Sequence, residues 1–154
     1  MAPTALIDTL AERGTGYELL LHRHTETAAA EARALGVPPE QTAKTVIVRT
    51  PEGFVRVVVP ASRHVDLDRL GKVLGVDGVA LATEAELVGA YPDFELGAVP
   101  PFDGSFTDEV IVDRHLCEVD HVVFEAGTHE RSIRLRTRDL IEVSDARLAE
   151  VCRR

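Results

Sequence analysis

A chain of 154 residues fits one domain and can bury a core of its own without disulfides or metal. Its 45% hydrophobic and 28% charged residues exclude a disordered chain, and no run approaches the ~20 apolar residues that a membrane helix needs. The formal charge of −9 excludes a broad nucleic-acid grip by counterion release, so any such contact must be local.

In chain order, Thr4 is placed to cap a helix over "ALIDTLAER", with Gly14 as its left-handed stop. This N-terminus is acidic where a signal peptide is basic and then apolar, which points to a cytoplasmic protein with no membrane partner. "YELLLH" reads as a strand, and "TETAAAEARALG" as a Thr-capped helix ending at Gly36, with "VPPEQ" as a turn. "KTVIVRT" and "FVRVVVP", separated by "PEG", form a β-hairpin expected at the centre of the sheet. "DLDRLGKVLG" has helical spacing, "GVALA" is a short strand, and "TEAELVG" carries a capping box. Residues 90–104, with three prolines and no period, form a long loop of the kind that is usually functional or disordered. "EVIVD", "HVVFEAG" and "RSIRLRT" are further strands, and "SDARLAEVC" is expected to close the chain as a Ser-capped helix. The pattern is that of a single α+β (mixed α/β) domain over residues 1–154, with one curved, mostly antiparallel sheet flanked by helices.

Only two of the 17 basic residues are lysines, Lys44 and Lys72, and Lys44 opens an apolar β-run. A strand-end lysine is ordinarily solvated, but its compact ammonium can hold an anion or a developing oxyanion where an arginine fork would not fit. Gly97 either relieves a turn or lets a ligand approach the backbone. His129 lies in a turn, where histidines are usually solvated. Arg134, Arg136 and Arg138 alternate along one strand face and its exit, giving a basic stripe in an acidic protein and the best phosphate contact. His22 and His24, two apart, are a weak metal pattern without a third ligand nearby, and Cys117 and Cys152 form no CxxC pair; no metal or cofactor is assigned.

The succession "TAAAEARALGVPPEQTAKTVIV", "EGFVRVVVP", "LDRLGKVLG", "ELGAVPPF", "VIVDRHL" and "FEAGTHERSIRLRTRDL" resembles the YbaK/EbsC family of aminoacyl-tRNA deacylases, related to the editing domain of bacterial prolyl-tRNA synthetases. The resemblance covers nearly the whole chain. It implies that Lys44 and Thr45 open the central strand at the site. The family's Gly-rich loop corresponds to Gly97, Ala98, Val99, Pro100 and Pro101, and its late turn to Gly127, Thr128 and His129. Where one branch reads Gly-Gly-Ile-Ser-Pro this chain reads Gly-Ala-Val-Pro-Pro, and cysteine specificity does not carry over.

What the resemblance implies is a trans-editing hydrolase acting on the acceptor end of a tRNA mischarged with a small amino acid, with an aminoacyl-tRNA synthetase as a further partner. Editing answers a physical limit, since a pocket discriminates small apolar side chains by only ~1–3 kcal/mol per methylene. Lys44 would hold the terminal phosphate or ester oxygen, and N–H groups around Gly97 would face the carbonyl as it becomes tetrahedral. Water or a substrate hydroxyl or thiol would attack, with no protein nucleophile. The rival readings are a non-catalytic module that binds an aminoacyl-adenosine-like or nucleotide ligand, and a metal-dependent hydrolase built on His22 and His24.

Overall fold

The computed structural model describes residues 2–103 and 108–153. Helix α1 spans Ala2–Glu12, and so begins ahead of Thr4, which lies within the helix rather than capping it. Pro3 is compatible with this early start, because a first-turn proline gives up an N–H that has no helical partner there. Leu6 and Leu10 of α1 are fully buried in the main core with Val122, Phe124 and Ile133. Strand β1 (Glu18–Leu21) leads to α2 (Ala28–Leu35), where Thr27 accepts a hydrogen bond from the Ala30 N–H and Gly36, at φ 69°, ends the helix.

The hairpin of β2 (Ala43–Thr50) and β3 (Gly53–Pro60) occupies the middle of its sheet, as its apolar runs require. After β4 (His64–Val65) come α3 (Leu67–Leu74), capped by Asp66, β5 (Ala80–Leu81) and α4 (Glu84–Ala90), whose Thr83–Glu86 capping box is formed. The remaining elements are β6 (Glu109–Asp113), β7 (His121–Thr128), β8 (Arg131–Arg136), α5 (Thr137–Ser144), β9 (Arg147–Ala149) and β10 (Cys152–Arg153).

The α+β architecture and the mostly antiparallel pairing are as expected, but the strands are divided over three ladders: β5-β2-β3-β6-β9, β1-β8-β7 and β10-β4. Only β3–β6 and β6–β9 run parallel among these strand pairs. One isolated bridge, Thr42 to Val123, joins the first ladder to the second. Beyond it β2 and β7 part company, and that separation positions the site.

The C-terminus differs from the sequence expectation. The helix lies earlier, at Thr137–Ser144, and "SDARLAEVC" begins at its end. Ser144 is the last helical residue, its hydroxyl donating back to the Leu140 carbonyl at 2.6 Å, and Asp145 stops the helix in the left-handed region at φ 52°. A serine serves a helix end by such back-bonding as readily as a start, so it is a poor guide to direction. Arg147–Ala149 then pair with β6, and that tertiary contact overrides the helix propensity of the segment.

Candidate active site in the cleft between two ladders

Between Ala43 and Val46 the β2 edge facing away from β3 has no strand partner among the described residues, since β5 pairs only with Val48 and Arg49. Strand β7 is the edge of its own ladder. The cleft between these two edges is lined by Ala43, Lys44 and Thr45 from β2 and by Phe124 and Glu125 from β7. Ala28 and Glu31 of α2, with Gly97 and Val99 of the long loop, complete a small cavity of about 30 Å³. Lys44, Thr45, Gly97 and Val99, distant in sequence, are thus brought to one place.

Lys44 is half-buried and makes no side-chain hydrogen bond or ion pair among the described residues. Burial lowers the pKa of its ammonium, because a charge is poorly solvated there, and the nearby Cys152 offsets this only in part. A lysine in this state is not the solvated strand-end residue that position alone suggests.

The loop that carries Gly97 is ordered by hydrogen bonds from two sides. On one side His129, expected in a solvated turn, is only 5% exposed and binds the loop to the β7–β8 turn. Its Nε2 lies 2.7 Å from the Leu96 carbonyl and its Nδ1 2.9 Å from Glu125 Oε2. Since a carbonyl only accepts, Nε2 carries the proton. Burial opposes charging the ring, but the Leu96 carbonyl and Glu125 outweigh it and hold the His129 pKa above the ordinary value. Two more bonds run between the same segments: His129 N–H to Glu95 Oε1 at 3.1 Å and Glu95 N–H to the Gly127 carbonyl at 2.8 Å. Gly97 has φ +85°, a conformation that a side chain would strain.

On the other side Arg56, fully enclosed in β3, donates to the Pro100 carbonyl at 2.8 Å, to the Asp103 carbonyl, and through Nε to both oxygens of Asp108 at 3.0–3.1 Å. Tyr91 donates to Asp108 at 2.6 Å and lies with its ring 5.1 Å beneath the guanidinium. Ala98, Pro100 and Pro101 are buried behind the cleft. Of the expected loop 90–104, only Gly104 lies outside the described residues.

Gly127 and His129 are therefore anchors of the loop and do not line the cavity. Thr128 is half-buried, with a hydroxyl that has no hydrogen-bond partner. Arg134, Arg136 and Arg138 lie apart from the cleft, Arg136 and Arg138 beside a second depression with His121 and Ile141. None of the three forms an ion pair among the described residues, although Glu18 faces Arg134 across the ladder. Ser132, Arg134 and Arg136 alternate on one face of β8, so the stripe leads away from the cleft at ~7 Å per step.

Sequence reasoning missed Glu31 and Glu125. Glu31 is fully buried; its Oε2 accepts from Ser132 at 2.5 Å, while its Oε1 has no partner. Burial pushes the Glu31 carboxyl up to about 8; the Ser132 bond opposes this and the nearby Glu125 reinforces it. Burial likewise pushes Glu125 up to about 7, against the pull of His129. The available signal was a single charge interrupting an apolar run, in "AAAEARA", "VVFEAG" and, for Arg56, "FVRVVV".

The two histidines do not converge as a metal pair: His22 lies 2.9 Å from Ser132 Oγ, while His24 sits by Glu26 and edge-on to His129. Asp113, His115 and Cys152 place ligand atoms within 4.8 Å of one another. Their donors are already engaged, since Asp113 accepts from His115 N–H and Nδ1 at 2.9 and 2.6 Å and from Val151 N–H at 2.9 Å. Cys152 is buried and Cys117 exposed; neither lines the cleft. No helix among the described residues is long and apolar enough to cross a membrane.

The aminoacyl-tRNA editing domain family model matches residues 22–143. The chain is 26% identical over 148 residues to the Multifunctional Ser/Thr-tRNA deacylase ProXp-y of Escherichia coli strain K12, covering 93% of this chain and 88% of that protein. It is 38% identical over 79 residues to a proline–tRNA ligase of Xanthomonas campestris, covering 49% of this chain and 14% of that enzyme. Among solved structures, a hypothetical protein superposes with TM-score 0.89 at 27% identity, over 97% of this chain and 99% of the other. A candidate trans-editing enzyme for prolyl-tRNA synthetase superposes with TM-score 0.89 at 22% identity, over 99% and 98%, which bears on the fold alone. The family expected from the sequence is the family matched.

Proposed function

The chain belongs to the aminoacyl-tRNA editing domain family, and from that premise we propose that it hydrolyses the ester of tRNA mischarged with a small amino acid, in the cleft between β2 and β7. The observation that carries this reading is Lys44, a half-buried ammonium with no hydrogen-bond or ion-pair partner among the described residues, on a cavity whose far wall is the loop at Gly97. Such a charge in a dry site has little to do until an oxygen arrives.

In this reading the 3′-terminal adenosine lies at the mouth and the aminoacyl group enters the cavity. Lys44 holds the ester oxygen or the terminal phosphate, and the backbone around Gly97 faces the carbonyl oxygen. Water or a substrate hydroxyl attacks the carbonyl carbon, the ester C–O bond breaks, and the ribose hydroxyl leaves with a proton. The side chains lining the cleft include no Ser-His-Asp or Cys-His arrangement, and both nitrogens of His129 are engaged with the loop and Glu125. Arg134, Arg136 and Arg138, free of ion pairs among the described residues, supply phosphate contacts beyond the cleft. A synthetase that delivers the substrate is the further partner. The protein works in the cytoplasm, where charged tRNA is found.

The relative's name makes seryl- and threonyl-tRNA the first members of a deacylation panel. The purified protein, without added metal, should shorten the ester half-life of at least one small-residue aminoacyl-tRNA. Half-lives unchanged across the panel, with and without a synthetase, would leave the cleft as a binding module.

A further inference from the structure

The Glu31 side chain is completely enclosed, yet only one of its oxygens is satisfied. A network runs through the other oxygen, from Glu31 Oε2 to the Ser132 hydroxyl and on to His22 Nε2. It accounts for Oε2 alone. Oε1 has no partner, and Glu31 lines the cavity together with a second carboxyl, that of Glu125. Leaving such a group unpaired costs about 1–3 kcal/mol, more when charged, unless a ligand supplies the missing donor.

The surrounding chemistry says which donor. Two carboxyls converge on a cavity too small for more than a short side chain, with apolar walls from Ala28, Ala43, Val99 and Phe124. A cation answers both carboxyls at once, whereas a neutral hydroxyl answers one. The neighbouring β2 edge carries Lys44, which suits an oxygen. A carbonyl group one carbon away from an ammonium is the defining feature of an α-aminoacyl ester.

We propose that Glu31, supported by Glu125, seats the α-ammonium of the aminoacyl group and so confines the cleft to esters that carry a free α-amine. This rests on the deacylase reading for the identity of the ligand. The Glu31 carboxyl, pushed up to about 8 by burial in the empty cleft, holds a proton that the site can give up. When the neutral amine enters, the Glu31 proton passes to its nitrogen, and a carboxylate–ammonium pair forms with no net proton exchanged. Gln at this position would keep the shape and the Ser132 bond but could not become an anion.

The test uses three esters of one tRNA: seryl-tRNA, its N-acetyl derivative, and the α-hydroxyacyl ester made by deamination. In parallel, binding is measured to the non-hydrolysable 3′-seryl-amido-3′-deoxyadenosine and its α-hydroxy counterpart. Wild-type protein should prefer the free-amine form by about 10-fold or more in both assays, as a charge-assisted hydrogen bond predicts. Glu31→Gln should erase the preference while the thermal melt stays cooperative. The wild-type comparison stands even if the variant does not fold. Turnover with equal rates on the amine and hydroxyl esters would overturn the proposal while leaving the deacylase reading intact. A binding preference without turnover would do the reverse. If neither analogue binds and no ester is cleaved, both fall.

Discussion

Two buried polar clusters lie on either side of the long loop, and they differ in one respect. Arg56, Asp108 and Tyr91 form a knot in which the guanidinium meets two loop carbonyls and both oxygens of a carboxylate. The cleft holds Lys44, with no hydrogen-bond or ion-pair partner among the described residues, and Glu31 with half of one. A saturated cluster has no unmet demand and fixes geometry. An unsaturated one is stable only because the rest of the fold carries its cost, and a substrate can relieve that cost.

The largest effect should come from breaking the knot. Arg56→Met leaves Asp108 buried and uncompensated, so a loss of about 3–5 kcal/mol is expected, measured by denaturant unfolding. If stability falls by less than ~1 kcal/mol, the knot is not what holds the loop.

Lys44→Ala should do the opposite, leaving the melt nearly unchanged while lowering single-turnover deacylation about 10²–10³-fold, or ~2.7–4 kcal/mol. Lys44→Arg keeps the charge but spreads it over a planar fork, and it should be nearly as inactive. Lys72→Ala, on the exposed last turn of α3, is the neutral control. Near wild-type rates in Lys44→Ala would sink the assignment.

Glu31 gives a smaller effect, seen in stability against pH. Its folded pKa, about 8, lies above the ordinary carboxylate value of 4.5. The folded state therefore binds more protons between those values, and stability falls as pH rises through that window. Glu125, raised to about 7, adds the same sign. Wild type should lose about 1–3 kcal/mol from about pH 5 to pH 8, and Glu31→Gln distinctly less. Parallel pH profiles for the two proteins would show that the carboxyl is ionised throughout.

The smallest and most graded effect belongs to the arginine stripe. Neutralising Arg134, Arg136 and Arg138 should weaken tRNA binding and reduce its salt dependence by about one unit of slope for each phosphate that is no longer neutralised. Unchanged binding would make the stripe a solvated face.

The legible parts of the chain were those whose signals are local. The hairpin declared itself by β-branched runs about a Pro-Glu-Gly turn, α2 and α4 by caps that formed, and α3 by its helical spacing. The C-terminal segment misled because its strand exists only through pairing with β6, a contact no window of sequence contains. Within the site, Lys44 and Gly97 were visible through the family resemblance. Glu31 was not, since its meaning depends on Ser132, one hundred and one positions away. Arg56 was hidden likewise: an arginine among valines reads as an edge residue until Asp108 and the loop carbonyls arrive.

The single bridge at Thr42 and Val123 has a consequence for how such a cleft can change. Much of its width is the gap between two backbone edges that leave a common point, so it is an angle before it is a set of side chains. Trimming a wall residue enlarges one corner of the cavity, whereas a small rotation of the ladders about the bridge resizes all of it. Substitutions packed around Thr42 and Val123, remote from any substrate atom, are where selection for a larger or smaller acyl group would leave its mark.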